Sequence, residues 1–141
     1  LGIVGGGQLG RMLSQAAARL GFDVLILDPE DDCPAARVSA GQFVAPYDDP
    51  EALTALGRAC GVVTFEFENV PVASLDALEA VVPCRPGRRA LSVCQDRLQE
   101  KAFLAGAGVP VAPSSASQSS TYAAGSPGLP SDPSGTTWAP R

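Results

Sequence analysis

The chain has 141 residues, 45% of them apolar, and a formal charge of −5, which is enough for one domain of ordinary size with its own core. It contains no basic stripe able to neutralise a phosphate backbone, so nucleic acid is not an expected partner. No apolar run is long enough to cross a membrane, and Leu1–Val4 is too short and lacks the basic flank of a signal peptide, so the expectation is a cytoplasmic protein without a membrane partner.

The opening stretch, LGIVGGGQLGR, is a short apolar strand that breaks on three glycines and resumes as a helix. Such a junction leaves unpaired N–H groups at the helix start, aimed at whatever sits above the strand end. Gly5, Gly7 and Gly10 satisfy G-x-G-x-x-G, the dinucleotide fingerprint. A tight turn needs one glycine rather than three in a row, so the pattern points to a phosphate-bearing ligand.

Gln8 to Leu20 reads as an amphipathic helix, with Leu9, Met12, Leu13, Ala16, Ala17 and Leu20 at helical period and Gly21 as its stop. Val24 to Leu27 is a second strand ending at Asp28-Pro29. Strand, helix and strand over this span make the right-handed crossover of a parallel sheet. Asp28 therefore stands where dinucleotide folds place the acid that binds ribose hydroxyls. Beyond the solvated turn Glu30-Asp31-Asp32, a short helix is predicted over Pro34 to Ser39 and a third strand near Gln42 to Val44. Asp49 and Pro50 read as N-cap and first residue of a helix running to about Ala59. Val62 to Phe65 is the fourth strand and Val72 to Val81 the next helix. Cys84-Arg85 is a last short strand, Arg88 to Cys94 a short helix, and Asp96 to Ala107 a longer one. Ser114 to Arg141 is rich in serine, glycine and proline, with no apolar periodicity, and is expected to be disordered.

The four cysteines, Cys33, Cys60, Cys84 and Cys94, form no C-x-x-C pair, and there is no histidine to complete a zinc set. They read as reduced packing residues. Lack of histidine also removes histidine-dependent triads, leaving carboxylates, the single lysine Lys101, arginines or a bound nucleotide to carry chemistry. FEFENV is the second informative stretch. If Thr64 to Glu68 stays extended, Glu66 and Glu68 share one face at the carboxyl end of a strand beside the glycine loop, placed to accept from ribose hydroxyls or a ligand amine. Asp96, Arg97, Glu100 and Lys101 put an acidic line beside a basic one on the last helix, as a solvated face with intrahelical pairs does. Arg11, one turn into the first helix, either adds charge to a phosphate at the loop or lies on the surface.

GGGQLGRM, LDPE, YDDPEAL, FEFENVP and QDRLQEKAFL, in this order and at this spacing, resemble the amino-terminal domain of the N5-carboxyaminoimidazole ribonucleotide synthetase family, over Leu1 to about Pro113. The resemblance implies an α/β, Rossmann-like pre-ATP-grasp domain at 1–95: a parallel sheet flanked by helices that binds no dinucleotide. It implies the start of a central ATP-grasp region at 96–113 and leaves 114–141 as the disordered tail. The implied reaction is carboxylation of 5-aminoimidazole ribonucleotide with bicarbonate, ATP and Mg2+, in purine biosynthesis, by a commonly homodimeric enzyme. Bicarbonate attacks the ATP γ-phosphate to give carboxyphosphate, which delivers CO2 to the substrate amine. By the same resemblance Gly7, Gln8 and Leu9 lie against the ribonucleotide, Glu66 accepts from it, and Arg97 reaches ATP; no catalytic or metal-binding residue is assigned.

The lysine, glycine-rich flap and magnesium-binding acids of the family's central domain do not appear in 114–141. The expectation is therefore a truncated or frameshifted fragment, inactive by itself, that binds neither ATP nor Mg2+ well and is prone to aggregate through a face left open. Two alternatives stay open: an NAD(P)-binding oxidoreductase fragment using Gly5, Gly7, Gly10 and Asp28, and a non-catalytic ribonucleotide-binding domain.

Overall fold

Alternation along the short apolar runs decides the architecture. The computed structural model describes residues 1–112, with strands β1 (Gly2–Val4), β2 (Leu25–Asp28), β3 (Gly41–Val44) and β4 (Val63–Phe65) all parallel in the order β3-β2-β1-β4. Ile3 stands opposite Ile26 on one side and Thr64 on the other. Successive strand residues point to opposite faces, so Ile3 and Ile26 enter one core while Val4 and Leu27 enter the other. The α/β parallel sheet expected from the sequence is the one observed.

The helices are α1 (Gln8–Arg19), α2 (Pro50–Ala59), α3 (Ser74–Glu79), α4 (Arg88–Cys94) and α5 (Arg97–Gly106), with a 3-10 turn at Ala36–Val38. Helices α2 and α3 cover one face, where Leu53, Leu56, Leu75 and Leu78 pack on Val4, Leu27 and Val63, all at most 1% exposed. The second core is smaller: Ile3 and Ile26 meet Ala17 of α1, Val24, Cys33 and Ala35.

Local signals set the helix ends. The Asp49 carboxylate accepts from the N–H groups of Glu51 and Ala52 at 2.9 and 3.0 Å, ahead of Pro50 at the first position of α2. Gly21, at φ +83°, closes α1: its N–H and that of Phe22 donate back to Ala18 and Ala17 at 3.0 Å, the paired bonds of a Schellman ending. The strand expected at Cys84-Arg85 is a single parallel bridge from Cys84 to Val63. The apolar positions of α1 depart further from expectation. Its buried residues are Gly10, Ser14 and Ala17, while Leu9, Met12, Leu13 and Leu20 are 43–76% exposed. Small residues bring α1 close to the sheet, and the large ones face outward. Among the described residues no helix is long and apolar enough to cross a membrane. The tail expected to be disordered, 114–141, lies outside the described residues.

Candidate functional site

In an open parallel sheet, the loops that leave the carboxyl ends of the strands converge where the strand order reverses. Here the order turns between β1 and β4, and the loops after all four strands surround a cavity of about 350 Å3. Its walls include Gly6 and Gly7 after β1, Asp28 at the end of β2, Tyr47 after β3, and Glu66 and Phe67 after β4.

Strand β1 turns out of the sheet at Gly5, whose φ of +104° favours glycine. The N–H groups that follow are already engaged by the chain's own acids. Gly6 donates to Asp28 Oδ2 at 2.7 Å, Gly7 to Glu66 Oε1 at 3.0 Å, and Gly10 to Glu66 Oε2. A carboxylate thus sits at the amino end of α1, where the helix dipole and unpaired donors favour negative charge. Of the amides from Gly6 to Arg11, those of Gln8 and Leu9 have no partner among the described residues.

The succession of glycines has an internal cause beside the one expected from the sequence. A Cβ at Gly5 would lie 2.5 Å from Glu66 Cγ and 2.9 Å from Phe67 Cε1. At Gly7 it would lie 2.7 Å from Glu66 Oε1, at Gly10 2.6 Å from the Gly5 carbonyl oxygen, and at Gly6 it would run into Cys33 Sγ. Glycine is required here by the approach of Glu66, Phe67 and Cys33, so the three in a row do not by themselves report a ligand phosphate.

Asp28 is buried at 7% exposure with both oxygens occupied. Oδ2 accepts from Gly6 N–H and from the Tyr47 hydroxyl at 2.6 Å, and Oδ1 from Glu30 N–H at 2.9 Å. Burial first, and then the hydrogen bond to Asp28, push the Tyr47 phenol well above its usual range, so it stays a donor. The Tyr47 ring meets Phe67 edge-on, with centroids 5.3 Å apart. Burial likewise pushes the Cys33 thiol up.

Of the residues singled out from the sequence, Gln8 and Leu9 are exposed at the start of α1 and do not line the cavity, whereas Gly7 and Glu66 are brought together at its rim. Glu68 is not. The strand ends at Phe65, the chain bends after Glu66, and Glu68 is exposed while its carbonyl accepts from Gln95 Nε2 at 2.7 Å. Arg97 stands apart from the cavity, exposed on α5 and paired with Glu100 at 2.6 Å. Asp96, rather than joining an acidic line, caps α5, and Arg11 is half-buried and does not line the cavity. Tyr47 carried no signal of its own in the sequence beyond standing in the loop after a strand, just ahead of a helix cap. Phe67 was visible only as the residue opposite Glu66. Among the described residues no three histidine, cysteine, aspartate or glutamate side chains gather to hold a metal ion.

Comparison with known proteins bears on this edge. Residues 1–95 match the family of the ribonucleotide synthetase preATP-grasp domain. The N5-carboxyaminoimidazole ribonucleotide synthase of Brucella melitensis is 52% identical over 113 residues, which are 80% of this chain and 31% of that protein. The Staphylococcus aureus N5-carboxyaminoimidazole synthetase, crystallised with ADP, superposes with a TM-score of 0.73 at 45% identity, over 79% of this chain and 30% of the other. The Aspergillus clavatus synthase, crystallised with ADP and 5-aminoimidazole ribonucleotide, gives a TM-score of 0.70 at 37% identity, again over 79% and 30%. The chain thus spans about 30% of the length of these relatives. Sheet order, loop and sequence agree, and the chain belongs to the ribonucleotide synthetase preATP-grasp domain family.

Proposed function

We propose that this chain supplies the ribonucleotide shelf of an enzyme that carboxylates 5-aminoimidazole ribonucleotide with ATP and bicarbonate. The observation that carries the reading is the seat of Glu66: held by the N–H groups of Gly7 and Gly10, its carboxylate stands at the rim of the cavity beside the two free amides of α1. Each carboxylate oxygen has two lone pairs, so an oxygen that holds one loop amide can still accept from a ribose hydroxyl or an amine. Gly7, Gln8 and Leu9 then form the surface on which the ribonucleotide lies. A pyrophosphate at the same loop would have to displace Asp28 and Glu66 from Gly6, Gly7 and Gly10, which disfavours the dinucleotide alternative.

ATP is proposed to meet the chain at Arg97, whose exposed guanidinium is paired with the half-buried Glu100; such a pair at the surface holds its partner weakly. Mg2+ is not assigned to the described residues, because they assemble no donor set for it. Bicarbonate activation and transfer of CO2 are likewise assigned to no residue here. Calorimetric titration tests the reading: 5-aminoimidazole ribonucleotide should bind saturably, and Glu66→Gln, which removes the charge from its hydrogen bonds, should weaken binding by about tenfold or more. Saturable binding of NADH with none of the ribonucleotide would overturn it.

A further inference from the structure

Tyr47 and Asp28 lie beside the proposed shelf, and neither was assigned a part in it. Asp28 ends β2 with three donors converging on its carboxylate: the amides of Gly6 and Glu30 and the Tyr47 hydroxyl. Tyr47 comes from a different loop, after β3, and its ring packs edge-on against Phe67, which follows Glu66 after β4. Phe67 in turn fills, together with Glu66, the space beside Gly5. One phenol therefore joins the loops leaving all four strands at the carboxyl edge. Because Asp28 is buried and three donors already occupy its carboxylate, it is poorly placed to accept from a ligand hydroxyl, the task such an acid has in dinucleotide folds.

We propose that Tyr47 and Asp28 are a positioning pair: the Tyr47–Asp28 hydrogen bond fixes Gly6 and the Phe67 wall, so that Gly7 and Gly10 meet the Glu66 carboxylate in the geometry the shelf needs. The pair is assigned no contact with the ligand. It acts through the glycine loop on one side and through Phe67 on the other, and it rests on the ribonucleotide reading for its consequence but not for its geometry. A hydrogen bond to a charged acceptor has enough strength to matter: losing it costs about tenfold in the equilibrium it supports.

The test uses Tyr47→Phe in the full chain, which keeps the ring against Phe67 and removes only the hydroxyl. Amide proton shifts and hydrogen exchange of Gly6, Gly7 and Gly10 are read by NMR alongside the melting temperature. The expected result is a changed Gly6 shift and about tenfold faster exchange at Gly6 and Gly7, with the strand amides of Ile3 and Ile26 unchanged. Ribonucleotide affinity, measured on the same samples, should fall several-fold. Unchanged Gly6 and Gly7 amides in a folded Tyr47→Phe chain would overturn the proposal. Should that variant not fold, the unaltered chain decides: protection of Gly6 equal to that of the strand amides supports the brace, and exchange at the rate of an open loop overturns it. If neither chain binds the ribonucleotide while the amide response is seen, the shelf reading fails and the brace stands.

Discussion

Glu66 does at the glycine loop what a bound anion does at other helix starts, and it does so from another strand's end. The closeness of that approach dictates the side chains around it, since a methyl group at Gly5, Gly7 or Gly10 would meet Glu66 or the loop carbonyl within 3 Å. Gly6 is set by a different neighbour, the buried Cys33 thiol. This separates the two demands experimentally. Gly6→Ala should destabilise the chain by about 1–3 kcal/mol through overpacking, read from urea denaturation. Cys33→Ala removes the sulfur that the new methyl would strike, so the double variant should recover part of that loss, a coupling that a double-mutant cycle isolates. Additive effects would show that Asp28, whose Cβ would lie 3.0 Å from the same methyl, sets the limit instead. Burial also pushes the Cys33, Cys60 and Cys84 thiols upward, which disfavours their reactive thiolates, while Cys94 is exposed. Alkylation of the native chain should therefore label Cys94 first, as peptide mass mapping would show.

At the scale of elements, helix starts divide into those written in neighbouring residues and those that are not. Helices α2 and α5 are capped by Asp49 and Asp96, each accepting from the amides two and three residues on; the Asp49 cap was read from the sequence, whereas Asp96 was read as part of the helix face although its cap is equally local. Helix α1 begins at Gly7, which has no side chain to offer, and its cap arrives from Glu66 across 59 residues of chain. No local pattern specifies such a contact. The bend after Glu66, which takes Glu68 away from the site, is similarly fixed at a distance, by Gln95 donating to the carbonyls of Glu68 and Val70. The local cap carries a pH signature. Amide hydrogen bonds from Gln99 and Leu98 hold the Asp96 carboxyl below the usual aspartate range. A depressed folded-state value favours the capped helix above the unfolded value of about 3.9, and the contribution is lost as pH falls through the lower folded one. Carboxyl carbon shifts should show Asp96 titrating below the ordinary aspartate value of about 3.9, and Asp96→Asn should remove the acid-dependent rise in amide exchange at Leu98 and Gln99. A titration at or above that value would deny the cap.

Over the whole molecule, the same sequence pattern allowed two ways of seating α1, and the residues that settled the choice are the small ones. Leu9, Met12, Leu13, Ala16, Ala17 and Leu20 keep a helical period, yet so do Gly10, Ser14 and Ala17; Ala17 belongs to both sets, and only the second lets the helix approach β1 and β2 closely. Periodicity identifies the helix; it does not say which stripe the sheet can accommodate. Ser14 turns its hydroxyl to the Gly10 carbonyl at 2.8 Å, so its burial leaves no unmet polar group. The outcome is a thin layer with an apolar outer surface, in which Met12 is 55% and Leu20 76% exposed. Contiguous apolar surface of this kind promotes association, whereas exposed side chains contribute little to the fold they sit on, typically within about 0.5 kcal/mol when exchanged. Met12→Gln with Leu20→Gln should therefore raise the concentration at which light scattering detects self-association, while the melting temperature moves by no more than about 2–4 °C. A larger drop in melting temperature would mean that these two side chains pack within the chain, and would reverse the assignment of the two faces of α1.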